Sequence, residues 1–153
     1  MATLLDLHNE VRCLHNANPL TYSNTVAASA TSHAQVLSNS CGQLFHSASE
    51  DRNGYGENLY LCAQSGSGSC YTPEEAMASL YESEVQVSSV TYYGLHATQI
   101  LWKSTTQLGC AEATCTLDSF NYVYLVCQYN PPGNVNLSTR LESEVGLPTG
   151  TNC

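Results

Sequence analysis

His96 is the residue of this chain whose setting first suggests chemistry. It heads a largely apolar run, HATQILWK at residues 96–103, whose composition favours a strand. A second ionisable group, Glu84, follows Leu80 by four residues on a predicted helix and so shares its apolar face, whereas Glu82 should face solvent. An imidazole and a carboxylate on apolar segments are candidate metal ligands or acid–base groups. The alternative is structural, because a histidine at a strand start is more often a hydrogen-bonded packing residue than a ligand.

Three helices are predicted in the first half of the chain. An apolar stripe at steps of three and four predicts a helix over residues 4–16, with Thr3 as its cap. A second helix over residues 24–37 has a face rich in small residues, which allows close approach to a sheet. The third begins at the sequence TPEE, residues 72–75, with an N-cap hydroxyl, a first-position proline and a capping-box glutamate. We expect it to continue past Glu84 to about residue 88.

The second half of the chain reads as strands. Segments rich in Val, Ile, Leu, Thr and Tyr, with turn residues between them, predict strands over residues 96–102, 108–114 and 122–129, and residues 56–62 form a fourth candidate. Helices first and strands later indicate an α+β protein whose sheet is covered by helices.

The composition describes one acidic domain. The chain has 153 residues, 11% of them charged, with a net charge of −9. Nucleic acids and anionic membrane surfaces attract basic patches, so this charge argues against both as partners. No apolar run approaches the ~18 residues of a membrane span. The start, Met1-Ala2-Thr3, lacks the features of a signal peptide.

The cysteines indicate an oxidising compartment. The chain has 8 of them, at positions 13, 41, 62, 70, 110, 115, 127 and 153. An even number at irregular spacing is typical of four disulfides in a secreted protein. Zinc is the alternative, but the close pairs lack the two-residue gap of a zinc knuckle. A glycosylation signal at Asn136 also fits secretion. We therefore expect that a secretion signal has been removed.

Three motifs together resemble a known family. They are LDLHNEVR at residues 5–12, the run that begins at His96, and YLVCQYNPPGN at residues 124–134. In this order they are similar to the signatures of the CAP superfamily: cysteine-rich secretory proteins, antigen 5 and pathogenesis-related 1 proteins. The resemblance covers residues 4–134 and implies a three-layer α-β-α sandwich with a central antiparallel sheet, stapled by disulfides. We assign residues 1–134 to this domain and 135–153 to a C-terminal extension tied back by a disulfide.

The resemblance also implies a site of two histidines and two glutamates. Matched motif by motif, these are His46, Glu57 of the sequence GEN, Glu84 and His96. Two imidazoles can bind Zn²⁺ or another divalent metal, with the carboxylates orienting them, and no cofactor is expected to be obligatory. The same group without metal can act as an acid–base pair. The chain departs from the family where Leu95 separates His96 from the preceding glycine.

The resemblance further implies two disulfide pairs, Cys41 with Cys115 and Cys110 with Cys127. Elimination and proximity then pair the four remaining cysteines, Cys62 with Cys70 and Cys13 with Cys153.

Three functions remain open for a secreted, monomeric domain of this family. The first is non-enzymatic binding of a small lipid, a sterol or a fatty acid, at a family site between helices. The second is a metal-dependent hydrolase or protease that uses His46, His96 and one of the two glutamates. The third is an interaction or effector protein, in defence or host contact, that an extracellular receptor recognises.

Overall fold

The protein was described from a computed structural model that covers residues 3–149 and Cys153. The described part contains nine helices and strands in the following order: α1 (Leu4–Leu14), β1 (Thr21–Tyr22), α2 (Asn24–Asn39), β2 (Gly56–Ser65), α3 (Pro73–Leu80), α4 (Leu95–Leu101), β3 (Gln107–Leu117), β4 (Phe120–Asn130) and α5 (Leu137–Glu144). Short 3₁₀ turns lie at Glu50–Arg52, Glu82–Glu84 and Val90–Tyr92.

The strands form one sheet in the order β1-β3-β4-β2. The three long strands are antiparallel, and the two-residue β1 pairs in parallel with the start of β3. Side chains alternate along β4, so Tyr124 and Val126 face α2 while Leu125, Cys127 and Tyr129 face the other helices. The sheet is therefore the middle layer of an α-β-α sandwich, which confirms the predicted fold class.

The helix α2 packs very closely on the sheet. A Cβ atom at Gly109 of β3 would lie 2.1 Å from the backbone nitrogen of Ala27. Small residues on α2, such as Ala30 and Ala34, are fully or almost fully buried against β3 and β4. The predicted role of the small-residue face is confirmed.

Local signals placed the starts of α1 and α3 correctly. The Thr3 hydroxyl accepts a hydrogen bond from the Asp6 amide at 3.1 Å, and the Asp6 carboxylate accepts one from the Thr3 amide at 3.0 Å. At α3, the Thr72 hydroxyl caps the Glu75 amide at 3.1 Å, and Pro73 is the first helical residue.

Two predicted elements were wrong. Residues 96–102 form the helix α4 and its end rather than a strand, because residues 97–102 are all buried and so carry no strand periodicity. The third helix ends at Leu80 instead of near residue 88, and Glu84 lies in a separate 3₁₀ turn. Serines and β-branched valines dominate residues 83–90, and both are weak helix formers. The helix α5 was not predicted at all.

Four disulfides crosslink the chain. They are Cys13–Cys153, Cys41–Cys115, Cys62–Cys70 and Cys110–Cys127, the same pairs as those expected above. The first joins α1 to the last residue of the chain. The tail is further held by Glu144, which accepts hydrogen bonds from the Ser104 amide and hydroxyl at 2.8 and 2.6 Å.

In the described residues, no helix is both long enough and apolar enough to cross a membrane.

Candidate binding cleft

A cavity of about 580 Å³ opens at one end of the sheet. His46 reaches it from the loop after α2, Glu57 from β2, and His96 from the first turn of α4. Glu84 is joined to this group through His96. The structure therefore brings the four predicted residues together from four separate segments.

Glu57 orients His46. One carboxylate oxygen, Oε1, accepts hydrogen bonds from His46 Nδ1 at 2.9 Å and from the Ser47 amide at 3.0 Å. The other, Oε2, accepts from the Ser47 hydroxyl at 2.6 Å and from Gln128 Nε2 at 2.9 Å. The Glu57 side chain is fully buried, while 58% of the His46 side chain is exposed. Burial alone raises the pKa of Glu57, but these hydrogen bonds outweigh it and hold that pKa below the usual value.

Glu84 orients His96 in the same manner. Its Oε1 accepts a hydrogen bond from His96 Nδ1 at 2.6 Å, and its Oε2 accepts from the Ala97 amide at 2.8 Å. The carboxylate fits only because residue 94 is glycine, since a Cβ there would lie 2.1 Å from the Glu84 Cδ. Gly94, which Leu95 separates from His96, thus makes room for Glu84.

In both histidines Nδ1 is the nitrogen bonded to a carboxylate. A neutral imidazole that donates through Nδ1 keeps its Nε2 lone pair, and this pairing is the one that orients metal-ligating histidines. Among the described residues, no group of three or more His, Cys, Asp or Glu side chains is arranged to hold a metal ion. The cleft thus offers two imidazole nitrogens, with the carboxylates already engaged as their partners.

The floor of the cleft contains residues that the sequence analysis missed. Gln99 is almost fully buried and accepts a hydrogen bond from the Gly133 amide at 2.9 Å. A Cβ at Gly56 would lie 2.0 Å from Gln99 Oε1, so a larger residue here would displace the Gln99 amide. Asn58 donates to the His96 carbonyl at 3.0 Å and to the Tyr129 hydroxyl at 3.2 Å. All of these residues lie inside or beside the family motifs, so the motifs themselves could have pointed to them.

Arg52 is the cation nearest the buried carboxylate. Its Nη1 lies 4.0 Å from Glu57 Oε1 and donates to the Ser47 carbonyl, while its Nε donates to the Tyr55 carbonyl at 2.7 Å. The guanidinium therefore lies at ion-pair distance from Glu57 and holds the loop that carries His46.

The other histidines have structural roles. His8 is fully buried between the Leu4 carbonyl at 2.7 Å and the Tyr129 hydroxyl at 2.9 Å, and burial lowers its pKa to about 4. His15 bonds the Gly146 carbonyl at 2.6 Å, and burial lowers its pKa as well. His33 bonds the carbonyl of the residue before His46, at 2.7 Å. None of these three histidines lines the cleft.

Arg12 explains the rest of the first motif. It is fully buried, and its guanidinium donates to the carbonyls of Asn18, Ile100, Trp102 and Thr105 at 2.8 to 3.0 Å. This side chain joins α1 to the end of α4 and to the loop that follows it.

Asn136, the predicted glycosylation residue, is exposed and directly precedes α5.

These features define a class of protein: a disulfide-bonded α-β-α sandwich with two carboxylate-oriented histidines in one cleft. Residues 5–129 match the model of the Cysteine-rich secretory protein family, CAP. The chain belongs to this family.

Known proteins from fungi and plants are similar to the chain. Over 132 residues it is 38% identical to the secreted protein RBT4 of Candida albicans, covering 86% of this chain and 35% of that protein. Over 144 residues it is 35% identical to pathogenesis-related protein 1C of Nicotiana tabacum, covering 86% of this chain and 74% of that one. The chain spans only 35% to 60% of the length of the Candida relatives first matched.

A solved structure shares the fold. The crystal structure of NaASP2 with Zn²⁺ is 25% identical in sequence and superposes with a TM-score of 0.64, covering 86% of this chain and 78% of that one.

Proposed function

We propose that this chain is a secreted, non-enzymatic CAP protein whose cleft binds a divalent metal through Nε2 of His46 and His96. The observation that carries the proposal is the matched pair of Nδ1–carboxylate hydrogen bonds, at 2.9 and 2.6 Å. Each bond favours the tautomer that leaves Nε2 free to ligate, and both imidazoles line the same cavity. The likeness to a protein crystallised with Zn²⁺ supports the choice of zinc as the probe.

The donor set defines how such a site behaves. Two neutral imidazole nitrogens fit Zn²⁺, and water completes the shell. Because Glu57 and Glu84 already accept hydrogen bonds from their histidines, they act as orienting groups rather than ligands. A site with two protein ligands is weaker than a structural zinc site with four, and acid releases the metal because a protonated imidazole cannot ligate.

Calorimetry with Zn²⁺ tests this function. The purified, disulfide-bonded chain should bind one equivalent near neutral pH, and the double variant His46→Gln with His96→Gln should lose this binding while its circular dichroism stays unchanged. Asp118→Asn, in the β3–β4 turn, serves as the control for adventitious surface binding. Equal zinc affinity in the double variant would overturn the metal proposal.

A second candidate function, lipid binding, is favoured by a separate groove. Between α1 and α3 lies a cavity of about 220 Å³, lined by the apolar side chains Leu7, Val11, Leu14, Met77 and Tyr81. Three carboxylates, those of Glu10, Glu74 and Glu82, also line it and would repel a fatty acid anion. The groove therefore fits the apolar face of a neutral lipid, such as a sterol, better than a fatty acid.

A matched pair of variants tests the lipid groove. Val11→Asp places a charge inside it, and Val87→Asp makes the same change at an exposed valine elsewhere. We expect labelled cholesterol to bind to the wild type and to Val87→Asp but not to Val11→Asp. Retained binding in Val11→Asp, or preferential binding of a fatty acid, contradicts the assignment.

The hydrogen bond of Ser47 argues against a serine nucleophile. Its hydroxyl donates to Glu57 at 2.6 Å and so is not activated by an imidazole base. Zinc-dependent turnover of peptide or ester substrates, lost in the double histidine variant, would instead establish the hydrolase. If the chain binds neither zinc nor lipid, recognition by an extracellular receptor becomes the leading function.

A further inference from the structure

A second, smaller cavity lies behind His46, on the α2 side of the sheet. It has a volume of about 210 Å³, and its wall includes Ser29 and Val36 of α2, Phe45 beside His46, and Gln128 of β4. His46 lines both this cavity and the cleft. The function proposed above makes no use of this space.

Two buried polar atoms in its wall have no hydrogen-bond partner within the described part of the chain: Gln128 Oε1 and Ser29 Oγ. Gln128 is fully buried. Its amide orientation is fixed, because the Glu57 carboxylate can accept only from Nε2, at 2.9 Å. Oε1 is therefore a buried acceptor, in a residue that lines the cavity, and it needs a donor.

One charged group in the wall favours a cation. Asp51 contributes a carboxylate at the exposed side of the cavity, and the guanidinium of the neighbouring Arg52 donates to the carbonyls of Ser47 and Tyr55. The net charge of −9 adds a long-range attraction for positive ligands.

Apolar and aromatic groups line the rest of the cavity. Phe45 contacts the His33 ring edge-on, with the ring centroids 5.7 Å apart, and Val36 stands beside them with 47% of its surface exposed. Aromatic faces attract ammonium groups, and an alkyl stem gains by covering exposed valine and phenylalanine surface.

We propose that this cavity binds a primary ammonium group on a short alkyl stem, with Gln128 Oε1 and Ser29 Oγ accepting its hydrogen bonds and Asp51 offsetting its charge. The ammonium comes either from a free alkylamine or from a lysine side chain of an extracellular protein. Both sources share the same chemistry, and the probes below distinguish them.

Titration of the full chain with n-butylammonium, followed by amide nuclear magnetic resonance, tests the site. We expect saturable shifts of the Gln128 side-chain amide and of Ser29, while butan-1-ol, a neutral probe of the same length, binds about tenfold more weakly. N-acetyl-lysinamide is the second probe. Binding of both cations identifies a lysine-accepting pocket, and binding of butylammonium alone identifies a small-amine site.

Two matched variants complete the test. Asp51→Asn should weaken butylammonium about two- to fivefold, as expected for a partly exposed charge pair. Glu50→Gln makes the same change one residue earlier, outside the cavity wall, and should leave the affinity unchanged. Equal binding of butanol and butylammonium, shifts that do not saturate, or equal weakening by both variants would overturn the proposal. The zinc titration is a separate experiment without amine present, so failure of the metal proposal and failure of this one are distinguishable.

Discussion

Glu57→Gln is the change that most directly tests how the cleft is built. The wild-type carboxylate accepts four hydrogen bonds, two on each oxygen, from three residues. A glutamine has one oxygen and one donor-only nitrogen. The oxygen should stay toward the Ser47 amide, which cannot become an acceptor, and it then still accepts from His46 Nδ1. The nitrogen then faces the Ser47 hydroxyl and Gln128, both of which can turn to accept.

The expected cost is about 2 kcal/mol near neutral pH. Hydrogen bonds to an ionised group contribute roughly 1.5 to 3 kcal/mol, against roughly 0.5 to 1.5 for neutral ones, and the variant keeps the geometry but loses the charge. For a chain of this size, such a loss lowers the melting temperature by about 4 to 8 °C.

The difference should depend on pH. Because the pKa of Glu57 is lowered in the folded protein, its ionised form stabilises the fold above the reference pKa of about 4.3. That contribution is lost as the pH falls through the folded value. The unfolding free energies of wild type and variant should therefore converge in acid.

Urea titrations of the oxidised protein near neutral pH and near pH 3, followed by circular dichroism, measure both effects. Glu50→Gln, an exposed control, should stay within about 0.5 kcal/mol of wild type. A Glu57→Gln cost that is the same at both pH values would refute the assignment of the stabilisation to the charge. A variant as stable as wild type near neutral pH would refute the hydrogen-bond argument itself.

Three further changes test the scaffold through urea midpoints. Arg12→Met should cost about 3 to 5 kcal/mol, because four backbone carbonyls lose their buried donor, and a near-wild-type midpoint contradicts this. Gly109→Ala should cost about 1 to 3 kcal/mol, since its Cβ would meet the Ala27 nitrogen at 2.1 Å; a stabilised variant would show that α2 can move away. Removing Cys13–Cys153, which spans 140 residues, should cost about 4 to 5 kcal/mol, and unchanged stability would show that noncovalent contacts suffice to hold the tail.

The sequence by itself determined the elements that have local signals. The hydroxyl of Thr72, followed by Pro73, specified the start of α3, and the strand composition specified β2, β3 and β4. The eight cysteines and the motifs specified a disulfide-bonded CAP domain. These signals work because caps, strand preferences and turn residues act over a few neighbouring residues.

Only the tertiary structure decided that the segment carrying His96 is a helix. It also decided how the Glu84 side chain reaches that helix. Helical periodicity placed Glu84 on a continuous α3, but the helix stops four residues earlier, and the side chain reaches the first turn of α4 from a 3₁₀ turn. The run after His96 is enclosed by the sheet and by α1, so every position is apolar or buried whichever element forms. A short segment that is buried on all sides has no solvent-exposed face. Its polar and apolar residues then show no periodicity that distinguishes a helix from a strand.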